Sequence, residues 1–110
     1  MEHDAERRTK NESLFRRIND GIEEVTEHSR VVHSSPVAFV CECSRPDCTT
    51  ALELTLEEYK DVRREGDRFL VAHGHVDPSI ERVVDDNERF VIVQKIGRAG
   101  EIAEADSDDR

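Results

Sequence analysis

A chain of 110 residues with 35% hydrophobic and 38% charged side chains has room for one domain with a small core. Its 26 acidic against 16 basic residues give a formal net charge of −10, which repels a phosphate backbone and argues against nucleic acid as a partner. No apolar run approaches the roughly 18 residues that a membrane span needs, and the first eight residues have no apolar leader core, so a soluble cytoplasmic protein is expected.

Residues 5–29 predict a long helix. Asn11, Phe15, Ile18, Ile22 and Val25 recur at +4, +3, +4, +3, with Leu14 widening the stripe, and this seam is expected to pack along one side. Asn11 on the seam either sets the register of a helix dimer or lies beyond the packed stretch. Glu12 and Arg16, four residues apart, read as a solvated ion pair. Ser34, Ser35 and Pro36 mark a loop. From Val37 to Cys43 the chain alternates as a strand, with Phe39, Cys41 and Cys43 on one side and Ala38, Val40 and Glu42 on the other. Arg45-Pro46-Asp47 has turn composition, and Ala51 to Thr55 reads as a return strand.

Thr55-Leu56-Glu57-Glu58 is a capping box that opens a short helix to about Glu65, buried through Leu56, Tyr59 and Val62, with Gly66 as its terminating glycine. Phe69 to Ala72 is a third strand that delivers His73-Gly74-His75. Glu81–Asp85 and Arg89–Gln94 are two further strands, the last apolar enough for a central position. Residues 96–105 form a loop or short helix. One domain over residues 1–105 and an acidic disordered tail over 106–110 complete the outline, the disorder extending back to about Glu104.

All three cysteines fall within eight residues, Cys41 to Cys48, as C-x-C-x4-C. An odd number of thiols in a reducing compartment speaks against a disulfide framework, and clustered thiolates suit a soft metal, above all Zn2+. A tetrahedral site needs a fourth ligand. His73 and His75, at the end of a strand, are the candidates, and Gly74 favours His75 by letting the backbone turn. His3, His28 and His33 are expected in solvent. The expected metal ligands are therefore Cys41, Cys43, Cys48 and His75. Three other readings compete with that structural site: a thiol switch that releases zinc on oxidation, three merely buried small side chains, and a three-thiolate zinc with bound water and Glu42 or Asp47 as base. The enzyme signatures H-E-x-x-H, H-x-E with P-C-x-x-C, and the phosphate-cradling glycine loop are all missing.

Four segments together carry a resemblance: Arg8 to Arg16, Phe39 to Cys48, Leu52 to Tyr59, and Gly74-His75. They resemble a group of small bacterial proteins of unassigned function over about residues 8–105. The resemblance implies that His75 is the fixed histidine of the pattern, and it implies no activity.

These readings converge on an α+β fold: a long N-terminal helix on a small, mainly antiparallel sheet, a short second helix, and a zinc-clamped hairpin. The expected role is a non-enzymatic zinc-binding module that acts through another protein, with a homodimer through the first helix as one form of contact. A redox- or metal-responsive regulator and a zinc hydrolase are the alternatives.

Overall fold

A computed structural model describes residues 2–29 and 35–107. The elements run α1 (Glu2–Glu27), β1 (Val37–Val40), β2 (Ala51–Leu54), α2 (Leu56–Arg63), β3 (Arg68–Val71), β4 (Glu81–Asp86), β5 (Val91–Lys95) and α3 (Gly97–Ser107). The class is α+β, as the alternation of periods in the sequence implies. Among the described residues no helix is long and apolar enough to cross a membrane. The side chain of His3, and Ser34, His33 and residues 108–110, lie outside the described residues.

The strands form two antiparallel sheets where one was expected. β1 and β2 make a hairpin with Val37 opposite Leu54 and Val40 opposite Ala51. The second sheet has the order β3-β5-β4, which puts the apolar strand β5 in the middle. β1 stops at Val40, short of the expected Cys43, because the chain leaves the β1–β2 ladder to follow the edge of β3. Cys41 N–H still donates to Thr50 O at 2.9 Å, and Glu42 N–H already donates to Leu70 O at 2.7 Å. Residues 41–43 thereby join the two sheets. The core between them holds Phe39, Leu54, Tyr59, Phe69, Leu70, Val71 and Val93, with Phe39 and Tyr59 stacked at 4.5 Å between ring centroids.

The capping box is present in full: Thr55 accepts from Glu58 N–H and Glu58 accepts from Thr55 N–H. Gly66 does not terminate α2 in the expected way, since only Gly74 and Gly97 have positive φ. The helix closes at Arg64 in ordinary helical geometry, and Gly66 serves instead to let α3 approach. A Cβ there would lie 3.1 Å from Ser107 Cβ. Glu104 to Ser107, expected in the disordered tail, are the last residues of α3. Asp106 is paired with Lys10 at 2.6 Å, which ties that end of α3 to α1.

The largest departure from expectation concerns α1. Most of the apolar seam does not face the core: Leu14 is 56% exposed, Ile18 46% and Val25 72%, while Phe15 is half-buried and Ile22, also half-buried, packs against the core as expected. Thr9, Glu12, Ser13, Arg16, Asn19, Glu23 and Thr26 are buried instead. The exposed positions Leu14, Ile18 and Val25 each follow a buried polar one by two residues, about 200° around the helix, so they lie opposite the polar stripe, with Ile22 at its edge. The polar stripe wins the interior because each side chain meets a specific partner there. Arg16, expected in solvent with Glu12, donates to Gly66 O at 2.6 Å and Ala103 O at 2.8 Å, and its guanidinium lies 4.1 Å from the Phe69 ring centre. Arg63, buried at the end of α2, grips Asp20 through Nε at 2.8 Å and Nη2 at 3.2 Å. A buried polar group so satisfied avoids the desolvation penalty that ordinarily drives it outward.

Candidate metal centre

Three segments meet at one end of the β1–β2 hairpin. Alternation carries on past the end of β1, so Phe39, Cys41 and Cys43 are buried on one side while Glu42 points to the other. The turn after Ser44, closed by Cys48 N–H donating to Arg45 O at 3.2 Å, brings Cys48 back beside them. The third segment follows β3: Gly74 adopts φ of 80°, a conformation that favours glycine, and His75 N–H donates to Ala72 O at 3.1 Å. That turn swings the His75 ring onto the cysteines.

The result is one cluster, Cys41, Cys43, Cys48 and His75, whose ligand atoms all lie within 4.8 Å of one another. His75 Nδ1 stands 3.5 Å from Cys41 Sγ and 3.6 Å from Cys48 Sγ. A tetrahedral zinc, with bonds of about 2.3 Å to sulfur and about 2.0–2.1 Å to nitrogen, holds sulfur and nitrogen ligands about 3.6 Å apart. The donor set and these spacings fit a metal ion of that type. Coordination through Nδ1 leaves the ring proton on Nε2.

The four expected ligands are therefore the four residues brought together. His73 is exposed and turned away, with its Nε2 3.0 Å from Asp86 Oδ1. His28 is exposed on α1, as expected.

Electrostatics inside the cluster are shaped by burial and by backbone donors. Burial pushes the Cys41 thiol well up, against the hydrogen bond from Ala72 N–H at 3.2 Å. Burial raises the Cys43 thiol as well, against a backbone hydrogen bond from Arg45. Burial also raises the half-buried Cys48 thiol, but hydrogen bonds from the backbone and side chain of Thr50, with those from Cys43 and Cys41, together outweigh it and bring that thiol below its usual value. Each sulfur thus has a backbone donor supplied by a different segment, which is the environment a metal-bound thiolate needs to spread its charge.

Glu42, between two of the cysteines, contributes nothing to the ligand side. Its Oε1 accepts from Leu70 N–H at 2.9 Å and its Oε2 from Asn19 Nδ2 at 2.7 Å. Burial pushes its carboxyl up to about 7, against the pull of those two hydrogen bonds. Glu42 is a strut, and it is not placed to act as a base on metal-bound water. Asp47 is exposed on the turn.

Asn19 is the functional residue that the sequence reading missed. Besides Glu42, its Nδ2 donates to Val40 O at 2.8 Å and its Oδ1 accepts from Val40 N–H at 2.8 Å, so the side chain caps the edge of β1 as another strand would. The only signal for it was the polar periodicity of α1. Asn19→Ala is expected to cost about 2–3 kcal/mol, because it leaves buried partners unpaired on Val40 and Glu42. Urea denaturation of the metal-loaded protein measures it. A cost below about 0.5 kcal/mol would mean that the metal alone holds the hairpin.

Comparison with protein-family models, with curated proteins and with solved structures returns no match to this chain, so the reading of the site rests on its own geometry.

Proposed function

We propose that the protein is a non-enzymatic, zinc-stabilised module whose Cys3His centre is a structural clamp and whose working surface is a protein-contact surface. The observation that carries the metal reading is the convergence of Cys41, Cys43, Cys48 and His75, with both His75–sulfur spacings at the values a tetrahedral zinc requires. Three thiolates and an imidazole favour zinc over magnesium or calcium, which take oxygen ligands. Four protein ligands close the coordination sphere and leave no position for a reacting water, which speaks for a structural role over hydrolysis. The contact role is supported by the apolar side of α1 that the fold leaves exposed.

Metal analysis of the purified protein tests the clamp. One zinc per chain is expected, with most of it lost in Cys43→Ser and in His75→Ala. Co2+ in place of zinc should give the absorption of a tetrahedral thiolate site. Protein that carries no metal, and melts at the same temperature with or without added zinc, overturns the reading.

A redox-responsive role is the second reading, and one observation favours it. Cys41 and Cys43 are 1% exposed, whereas Cys48 is half-buried and holds its thiol low, so an oxidant would reach Cys48 first. Zinc release by mild peroxide, with Cys48 the first thiol that mass spectrometry finds oxidised, is the result that would favour this role over a purely structural one.

A further inference from the structure

The side of α1 that faces away from the core is itself a packing surface. Along it Asn11, Leu14, Ile18, Gly21, Val25 and His28 follow the alternating 3 and 4 spacing of a two-helix seam over about 26 Å. Leu14, Ile18, Gly21, Val25 and His28 are exposed, and nothing lies within 4 Å of the Cβ position of Gly21. Ile22 packs against the core, but Leu14, Ile18 and Val25 form an exposed apolar stripe with no apolar cover from the described residues, the kind of patch that marks a contact surface.

We infer that this face pairs with the same face of a second copy, antiparallel, about a two-fold axis between Ile18 and Gly21. In that register Ile18 of one copy packs at Gly21 of the other, where the missing side chain lets the helices approach, and Leu14 packs on Val25. Asn11 meets His28 at both ends, a polar pair that opposes slippage. The half-buried Phe15 and Ile22 flank the seam on one side and face each other across it. On the other side lie Arg17 and Glu24, both exposed, with Arg17 also acting within the chain on the Asp106 carboxylate of α3. The two-fold axis sets Arg17 of each copy beside Glu24 of its partner, which gives two opposite-charge pairs. A parallel pairing sets Arg17 beside Ile22 and Gly21 beside Gly21, with neither the charge match nor the filled layer. Charge complementarity therefore selects a second, inverted copy as the occupant. This inference names the partner for the contact surface proposed above and rests on that part of the reading alone; the metal plays no part in it.

Sedimentation of the full zinc-loaded chain decides it. Wild type is expected at twice the 12.6 kDa chain mass, dissociating on dilution. Ile18→Glu is expected to weaken association at least about 100-fold. Arg17→Glu, which turns both pairs repulsive, is expected to weaken it about tenfold, and Arg17→Glu with Glu24→Arg to restore it. Ile18, Arg17 and Glu24 are exposed and remote from the ligands, so zinc content and far-ultraviolet dichroism should match wild type, and the rescue by Glu24→Arg separates a lost pair between copies from the lost attraction of Arg17 to Asp106. A monomer mass at every concentration, a dimer indifferent to Ile18→Glu, or a charge swap that fails to restore association overturns the inference. A monomer that keeps one zinc per chain overturns the pairing and leaves the metal clamp standing. Metal-free dimers do the reverse.

Discussion

Removing the metal with a chelator at neutral pH is expected to lower the stability of the protein by at least about 4 kcal/mol, which for a domain of this size moves the melting temperature by about 20 °C or more. Structural zinc contributes roughly 10–16 kcal/mol to small finger peptides, which have almost no core of their own. Here Phe39, Leu54, Tyr59, Leu70 and Val93 are buried without help from the ion, so the metal-free chain should keep a weakened fold. The loss should concentrate in residues 41–50 and 72–76, the two segments that the four ligands join, and hydrogen exchange of Ala72 and Leu70 amides would locate it. The effect carries a pH signature. Burial holds the Cys41 and Cys43 thiols above their usual values, so both are protonated in the metal-free protein at neutral pH and must lose those protons to bind. Zinc affinity should therefore rise with pH, by at least roughly 100-fold per unit for the two protons released from Cys41 and Cys43. Competition against a chromophoric chelator at pH 6.5 and 7.5 measures the slope. A melting temperature indifferent to chelation would defeat the clamp, and a flat pH dependence would defeat the account of its thiols.

The convergence of Cys41, Cys43, Cys48 and His75 was readable in the sequence because its chemistry is local and discrete. Three thiols in eight residues narrow the choices sharply, and Gly74 beside His75 marks the turn that a fourth ligand needs. The hairpin, the capping box at Thr55 and the central place of β5 were readable for similar reasons: period-2 alternation, a paired cap, and a near-continuous apolar run. The orientation of α1 was not. Hydrophobic periodicity identifies that a helix has an apolar side, and it assigns that side to the core by default. In α1 the interior was taken by a polar stripe whose partners lie far along the chain: Arg16 reaches Gly66 and Ala103, and Asn19 reaches Val40 and Glu42. Nothing within the helix announces those partners. Glu12 and Arg16, which look like a solvated pair at their spacing, are 0% and 2% exposed.

The same inversion of α1 fixes how its exposed apolar stripe is presented. Its polar side is committed by directional hydrogen bonds to β1, α2 and α3, which fixes the rotation of the helix about its own axis. A purely apolar contact would fix that rotation less sharply, since apolar packing tolerates repacking. With the rotation set, the outward seam is held in a single register along its length. Asn19 and Glu42 add to that restraint by tying α1 to the edge of β1 and to the chain between Cys41 and Cys43.

A buried ionic cluster supplies the second large expected effect. Lys95, at the end of β5, is fully buried between Glu81, its cross-strand neighbour on β4, and Glu12 of α1, and it hydrogen-bonds both carboxyls. Lys95→Met is expected to destabilise the protein by about 3–5 kcal/mol at pH 8, since it leaves two buried carboxyls facing each other without a cation. One cation cannot balance two carboxylates, and Glu12 is the group that gives way. Burial, with Glu81 beside it, outweighs the attraction of Lys95 and pushes the Glu12 carboxyl up to about 9. Its Oε1 has no hydrogen-bond partner, an arrangement more costly for an ionised oxygen than for a neutral acid. The sign of the pH effect follows. An unfolded Glu12 loses its proton near 4.5 and the folded one near 9, so between those values the folded state holds the extra proton. Stability from this group is full below about 4.5 and falls as pH rises towards 9, by up to roughly 1.4 kcal/mol per unit. Zinc binding moves stability the opposite way, so the comparison that isolates Glu12 is wild type against Glu12→Gln at saturating zinc. The two should be similar at pH 5. By pH 8 the variant should have gained on wild type by on the order of 2–4 kcal/mol, because Gln keeps the shape of the neutral acid and has no proton to lose. Urea denaturation at the two pH values reads the difference. Equal pH slopes for the two proteins would mean that Glu12 is ionised in the fold, and that Lys95 carries both carboxylates at once.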